Sequence, residues 1–128
     1  MLASVYYIGD RAFKGCASLT SVSITNAVQY VGTEAFSGCS SLESVVFWSS
    51  ASFDTETCTI MNRAFSGCTS LVTVTMPQHA SQATLKGGIF EGCTALKSIR
   101  VSRKGDLHKY FKLTKFSRQV ERVRPDKL

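Results

Sequence analysis

The five-residue stretch AFSGC occurs twice in this chain, at residues 35–39 and again at residues 64–68. Related versions are present at residues 12–16 (AFKGC) and at residues 89–93 (IFEGC). The cysteines that end the four stretches are therefore 23, 29 and 25 residues apart. Recurrence at such intervals is typical of a solenoid, in which each repeat buries its apolar side chains against its neighbours.

Each stretch is the centre of a longer block with the same order of apolar residues and glycine. The four blocks are IGDRAFKGCASLTSVSI (8–24), VGTEAFSGCSSLESVVF (31–47), IMNRAFSGCTSLVTVTM (60–76) and LKGGIFEGCTALKSIRV (85–101). The alternation of apolar and polar residues at the end of each block predicts a short strand. Segments 4–9 and 27–32 predict a second, shorter strand in each unit. The AFxGC stretch predicts one helical turn that ends at glycine, because glycine adopts positive φ freely.

The pattern IG-x-x-AF-x-GC-x-SL-x-S-V-x-I resembles the BspA-like leucine-rich repeats of bacteria and protists. The resemblance covers residues 4–102, about four-fifths of the chain. It implies a curved solenoid with stacked parallel strands and a role in protein binding, often at cell surfaces. We therefore predict a leucine-rich-repeat solenoid, mainly β with short helical turns, built from four stacked units of 23–29 residues. Met61 and Lys86 replace the glycine of the IG pair, so the third and fourth units are expected to open differently.

The cysteine spacing argues against a zinc site, since no CxxC pair is present and the two nearest cysteines, Cys58 and Cys68, are ten residues apart. Stacked units would place equivalent cysteines about 4.7–4.9 Å apart with parallel Cα–Cβ directions, which fits a disulfide poorly. We predict a column of buried, reduced thiols beside a core column of phenylalanines, with no metal and no cofactor. Cys58 lies outside the column and is the best candidate for an exposed thiol, although a partly buried loop position is the favoured interpretation.

The residues between the inward-facing strand positions are expected to form a flat outer surface, mostly of hydroxyl side chains. We predict that a partner binds there. The predicted contact residues are Ser44, Val46, Trp48, Phe53, Thr73, Thr75 and Arg100. Trp48 is the single tryptophan of the chain, and tryptophan is enriched at the centres of protein interfaces. In the alternative interpretation, Trp48 and Phe53 pack on each other inside the insertion at 49–59.

Catalysis has little support in the sequence. The two histidines, His79 and His108, lie outside the repeat blocks, and the glycines of segment 87–92 (GGIFEG) lack the spacing of a nucleotide-binding loop. We therefore predict that the chain is not an enzyme. The sequence has no apolar run of about 18 residues and no recognisable secretory signal at its start. Reduced cysteines favour the cytoplasm, whereas the resemblance favours the cell surface.

The formal net charge of +6 is carried entirely by the end of the chain, because the basic and acidic residues of segment 1–101 cancel. We therefore divide the chain into a solenoid, residues 1–102, and a basic C-terminal helical cap, residues 103–128. Leu113, Phe116, Val120 and Val123 have helical spacing and predict a helix that covers the last unit. Its predicted basic residues are Lys109, Lys112, Lys115, Arg118 and Arg122. These residues are either a solvated face or a binding site for an acidic protein, RNA phosphate or an anionic membrane.

The sequence as a whole predicts a non-enzymatic module that presents a repeat surface to a protein partner. The alternative is an accessory subunit of a ribonucleoprotein or another large assembly, anchored by residues 103–128. The N-terminal end has no comparable cap, so its strand edge should be open. This predicts end-to-end association there, or a place within a longer solenoid.

Overall fold

The computed structural model of the chain describes residues 5–25, 27–47, 58–76, 85–102, 111 and 115–123. These residues form two parallel sheets. The smaller sheet has the order β1-β3-β5 and the larger sheet the order β2-β4-β6-β7-β8. The strands are β1 (Tyr7–Ile8), β2 (Ser21–Ile24), β3 (Tyr30–Val31), β4 (Ser44–Phe47), β5 (Thr59–Ile60), β6 (Thr73–Thr75), β7 (Ser98–Ser102) and β8 (Val120–Val123).

The strand register is the register of the sequence repeat, so equivalent residues of successive units pair with each other. In the larger sheet, Val22 pairs with Val45, and Val74 pairs with both Val45 and Ile99. The smaller sheet confirms the predicted second strand in the first three units, and Ile60 continues it through an isolated bridge to Leu85. The fourth unit thus opens with a bridge where the earlier units have a strand. A leucine-rich-repeat solenoid with stacked parallel strands is confirmed.

The corner formed by each AFxGC stretch is a series of tight turns. In the first unit, the amide of Lys14 donates to the carbonyl of Arg11, and the amide of Cys16 donates to the carbonyl of Phe13. The corner glycines have φ of 72–80°, as predicted. The predicted helical turn is wrong, because Arg11 and its equivalents Glu34 and Arg63 also have positive φ, between 55° and 60°. These residues lie immediately before the stretch, and the corner glycine is left-handed too, so only three residues remain between the two left-handed positions, fewer than one turn of an α-helix requires.

Backbone hydrogen bonds also link the corners of successive units. Arg11, Phe13 and Gly15 donate their amides to carbonyls of the second unit over 2.7–2.9 Å. The three equivalent amides donate in the same way from the second unit to the third and from the third unit to the fourth. All nine of these bonds among the described residues have the same direction, with the N–H in the earlier unit and the carbonyl in the later one. The corners of the solenoid therefore share one direction of hydrogen bonding along its axis.

The phenylalanines of the corners stack into one continuous column. Ring centroids are 5.1 Å apart from Phe13 to Phe36 and from Phe36 to Phe65, and 5.9 Å apart from Phe65 to Phe90. Phe111 extends the column, with its ring centroid 6.0 Å from that of Phe90. Phe36, Phe65 and Phe90 are buried, which confirms that the column belongs to the core.

The capping helix that the spacing of Phe116, Val120 and Val123 predicted is wrong in the described part of segment 103–128. Residues Ser117–Gln119 form a single 3-10 turn, and Val120–Val123 form β8, which pairs with β7 in parallel. The valines that suggested a helical stripe are β-branched and fit a strand better. The main-chain groups along the free edge of β7 also gain partners from β8 but would gain none from a helix. The described residues contain no helix long and apolar enough to cross a membrane.

Candidate protein-interaction surface

The outer face of the larger sheet consists of two rows of residues that the strand register aligns. The first row is Ser21, Ser44, Thr73 and Ser98, and the second row is Ser23, Val46, Thr75, Arg100 and Glu121. We call these two rows the outer face. The predicted contact residues Ser44, Val46, Thr73, Thr75 and Arg100 all lie in these rows. Their role in binding a partner stays a prediction.

The members of the outer face differ in how much surface they present. Thr73 is exposed, whereas Ser44, Val46 and Arg100 are half-buried. Thr75 is only 8% exposed, since Val46 and Arg100 stand on either side of it in register. Thr73 and Ser44 are therefore the predicted contact residues best placed to touch a partner through their hydroxyl groups.

The sequence interpretation missed the end of the outer face that β8 contributes. The Ser98 hydroxyl donates to the Glu121 carboxylate over 2.8 Å, and Glu121 lies beside Arg100 in register. This end of the face therefore has a carboxylate and a guanidinium group on neighbouring strands. The signal was present in the sequence, because VERV alternates valine with charged residues as a strand at a sheet edge does.

Four of the predicted site residues, Trp48, Phe53, Lys109 and Lys112, lie outside the described residues. The other three residues of the basic set, Lys115, Arg118 and Arg122, are exposed. The Lys115 ammonium group lies 5.5 Å from the centre of the Phe116 ring. Since Arg118 is in the 3-10 turn and Arg122 is in β8, these basic residues do not share one face of a helix.

The corner cysteines line the core beside the phenylalanine column. Cys39, Cys68 and Cys93 are buried, and each thiol donates to the carbonyl oxygen of a phenylalanine in the preceding unit over 3.1–3.2 Å. Burial raises the pKa of the Cys39 thiol to about 11. The hydrogen bond with the Cys93 thiol, together with burial, raises the pKa of Cys68. All five cysteines are free in the structure, and the predicted column of buried thiols is present in the second to fourth units.

Cys58 is also part of the core. Its residue surface is only 7% exposed, and burial raises the pKa of its thiol to about 12. The alternative of an exposed Cys58 is therefore wrong, and the residue is more deeply buried than the favoured partly buried position. Cys16 is the thiol with the greatest exposure, because no earlier unit covers it among the described residues.

Two cavities lined by described residues are small. One of about 150 Å³ is lined by Gly88–Glu91, Phe111, Lys115 and Phe116. Another of about 220 Å³ is lined by Cys93, Thr94, Leu96, Lys115, Phe116 and Gln119. Both are smaller than the roughly 300–1,000 Å³ of most small-molecule sites. Within the described ranges, no three His, Cys, Asp or Glu side chains are grouped as metal ligands would be.

The N-terminal end of the solenoid exposes aromatic and charged side chains. Tyr6 and Tyr7 are 64% and 60% exposed, and the Tyr7 ring stacks on that of Tyr30 at 4.5 Å. Nearby, the Glu34 carboxylate accepts hydrogen bonds from Arg11 and Lys14, each over 3.2 Å. The Lys14 hydrogen bond and the two positive charges hold the pKa of Glu34 below its usual range.

Known structures share this architecture. A leucine-rich repeat protein from Bacteroides ovatus is 26% identical over 93% of this chain, with a TM-score of 0.69. A leucine rich cell surface protein from Faecalibacterium prausnitzii is 30% identical over 80% of this chain, with a TM-score of 0.64. The pneumococcal vaccine antigen PcpA is 30% identical over 77% of this chain, also with a TM-score of 0.64. This chain covers 28%, 25% and 23% of those three proteins, or about a quarter of their length.

The family comparison agrees with the repeat seen in the structure. No curated protein matches the sequence significantly. The BspA type leucine rich repeat region, in six copies, matches residues 48–118, which is more than half of the chain. This match, together with the corner motif and the paired parallel strands, shows that the chain belongs to the BspA-type leucine-rich repeat family.

Proposed function

We propose that this chain is a non-enzymatic protein-interaction module whose outer face binds a protein partner. The supporting observation is the alignment of small hydroxyl side chains on neighbouring strands of one sheet. Strand pairing fixes the backbone beneath them, so little conformational entropy is lost when a partner binds. Proteins of this repeat family generally bind other proteins or act at surfaces, which supports the same role.

The chemistry of the outer face favours a polar partner surface. Serine and threonine hydroxyls both donate and accept hydrogen bonds, so Ser44 and Thr73 suit a partner that offers backbone or amide groups. Arg100 and Glu121 add opposite charges at one end of the face. The relative from Faecalibacterium prausnitzii is a cell surface protein, and we infer that contacts at a surface are the setting in which this chain also works.

The test is affinity capture from the source cell with the full chain, comparing two variants of opposite expectation. Ser44→Arg combined with Thr73→Arg places bulky charges on the outer face and should abolish capture of the partner. Ser40→Arg is the matched control, because Ser40 is exposed in a turn outside both rows and should leave capture unchanged. Circular dichroism should show that both variants are folded. Capture that survives the double substitution would contradict the proposed surface.

The second candidate function is binding of RNA through residues 103–128. It is favoured by three exposed basic residues close together in the chain, Lys115, Arg118 and Arg122. Phosphate contacts should make binding fall with salt, with a slope of about −0.7 for each contact on a single strand. Nuclease treatment should then remove the captured proteins, and Arg118→Glu should reduce the slope while Ser44→Arg leaves it unchanged. Capture that is insensitive to nuclease and salt would exclude this candidate.

A further inference from the structure

Cys93 is a buried cysteine with a cavity beside it. Its residue surface is only 2% exposed. The cavity of about 220 Å³ is lined by Cys93, Thr94, Leu96, Lys115, Phe116 and Gln119. Neither of the two cavities described above is lined by Cys39, Cys58 or Cys68. Since Thr94 and Lys115 are exposed, the cavity reaches the protein surface and gives small molecules a route to the Cys93 thiol.

The wall of this cavity also carries a hydrogen-bond acceptor without a donor. Gln119 Oε1 is buried, and no described residue donates a hydrogen bond to it. Buried polar atoms in native proteins are nearly always hydrogen-bonded, so each exception calls for an explanation. Gln119 ends the 3-10 turn Ser117–Gln119, which places its side chain on the cavity wall. The unpaired oxygen therefore suits an occupant of the cavity that brings an O–H or N–H group.

The surroundings of the Cys93 thiol favour its ionised form. The hydrogen bond between the Cys68 and Cys93 thiols and the positive charge of Lys115 lower the pKa of Cys93, against the effect of burial. Burial raises the pKa of Cys39 to about 11 and that of Cys58 to about 12. The thiolate is the nucleophilic form of cysteine, so Cys93 is the buried thiol most ready to react.

The stacking of the corners disfavours a disulfide at this position. The neighbouring thiol belongs to Cys68 in the preceding unit, and the two corners are joined in register by backbone hydrogen bonds. Their Cα–Cβ bonds are therefore parallel, whereas a disulfide requires a dihedral angle near 90° about its S–S bond. An oxygen atom added to the Cys93 sulfur enters the cavity instead, on the side where Gln119 Oε1 needs a donor.

We propose that Cys93 is a modification site at which a small hydroperoxide oxidises the thiol to a sulfenic acid. The sulfur attacks one peroxide oxygen, so an S–O bond forms and the O–O bond breaks. The sulfur loses an electron pair, and the peroxide is reduced to water or an alcohol, which takes up the thiol proton. The sulfenic O–H then donates to Gln119 Oε1. This site goes beyond the proposed interaction role and does not depend on the outer face.

The experiment compares buried cysteines within one folded chain. The full chain with Cys16→Ser, which removes the most exposed thiol, is treated with hydrogen peroxide and quenched with catalase. It is then unfolded in dimedone, which traps sulfenic acid, and in iodoacetamide, which blocks the remaining thiols. Mass spectrometry of the digest should show oxidation of Cys93 at least about tenfold faster than that of Cys58 or Cys68. The same reaction in urea is the control, because unfolding should make the three rates similar.

A larger reagent separates entry through the cavity from opening of the fold. A biotinylated maleimide is too bulky for a cavity of about 220 Å³. It should label Cys16 completely in the original chain while Cys93 stays unlabelled. Labelling of Cys93 at a rate close to that of Cys16 would show that the thiol is reached by opening of the structure, and would overturn the proposal.

A pair of variants tests the hydrogen bond to Gln119. Gln119→Leu should shorten the lifetime of the sulfenic acid after the catalase quench by about threefold or more, while the Cys93 thiol is consumed at an unchanged rate. Ser117→Ala is the matched control, since Ser117 is exposed in the same 3-10 turn, and it should change neither quantity. Equal oxidation of Cys93, Cys58 and Cys68 in the folded chain overturns the proposal. A disulfide between Cys68 and Cys93 as the main product also overturns it.

Discussion

The first and third units of the solenoid contain nearly the same corner sequence, AFKGC and AFSGC, in very different surroundings. Phe65 is fully buried, with Phe36 stacked on one side and Phe90 on the other. Among the described residues, Phe13 has a stacking neighbour on one side only, and it is half-buried. The cysteines follow the same contrast, since Cys68 is fully buried and Cys16 is half-exposed.

The difference shows that the repeat sequence sets the conformation of a unit, whereas its place in the stack sets its burial. Gly15 and Gly67 have φ of 74° and 72°, so the two corners have the same turn geometry. Each unit of a solenoid contacts only its neighbours, and an end unit therefore lacks half of its contacts. The same substitution should consequently cost less at the end of the stack than in its middle.

The largest contrast is expected for the phenylalanine column. Phe65→Ala should lower the free energy of unfolding by about 3–5 kcal/mol, because the cavity is closed on both sides by other rings. Phe13→Ala should cost about half as much, since water already reaches part of that ring. Urea denaturation of both variants measures the two losses. Equal losses would show that the first unit is as well packed as the third and would contradict the expected difference.

Gly9 and Gly32, the equivalent glycines at the start of the first two units, give a second matched pair. A Cβ at Gly32 would lie 2.5 Å from the backbone nitrogen of Asp10 in the preceding unit, whereas at Gly9 the nearest atom within reach is a Tyr7 side-chain atom at 3.7 Å. Gly32→Ala should therefore destabilise the protein by about 1–3 kcal/mol through overpacking. Gly9→Ala should be close to neutral. The midpoint of thermal unfolding measures both, and a loss in the Gly9 variant comparable to that of Gly32 would contradict the geometry.

A third test probes the burial of Cys58 through the pH dependence of stability. Burial raises the pKa of Cys58 from 9.0 to about 12, so the unfolded chain loses this proton at a lower pH than the folded chain. Stability from the neutral thiol is therefore complete below pH 9 and falls as the pH rises toward 12, by about 1.4 kcal/mol per pH unit. Cys58→Val should remove this part of the slope of unfolding free energy between pH 9 and 11. A Cys58→Val variant whose slope equals that of the original chain would contradict the burial of Cys58.

Most of the solenoid could be predicted because its period is strict. The register of each unit against the next is fixed by glycine at positive φ, by alternation in the strands and by the recurrence of phenylalanine. The same pattern in four units supports the structure predicted for each of them. The outer rows followed from that register without any knowledge of contacts. Thr75 shows the limit of the method, since its outward position was predicted correctly but its burial depends on which residues flank it across the sheet.

Two predictions, the capping helix and the helical turn in the corner, were wrong. The valines of the segment that ends in VERV fit the spacing of a helix and also that of a strand. The segment forms a strand because it pairs with the free edge of β7. Glu121 was consequently missed as a member of the outer face. The helical turn in the corner failed because left-handed conformations at Arg11, Glu34 and Arg63 are set by hydrogen bonds between units. Local sequence does not contain that information.

The smallest contrast is electrostatic and lies at the junction of the first two units. Glu34 bridges Arg11 and Lys14, whereas Glu43 is exposed and makes no ion pair with any described residue. The lowered pKa of Glu34 means that its contribution to stability is present at neutral pH and is lost as the pH falls through that lowered value. Glu34→Gln should therefore destabilise the protein slightly at pH 7 and low salt, and Glu43→Gln should not. Because these charges are solvent-exposed, the difference should disappear in about 1 M NaCl, where the Debye length is about 3 Å. A loss that persists in high salt would mean that Glu34 acts through packing, and the first two units would then be joined more tightly than their exposed surfaces suggest.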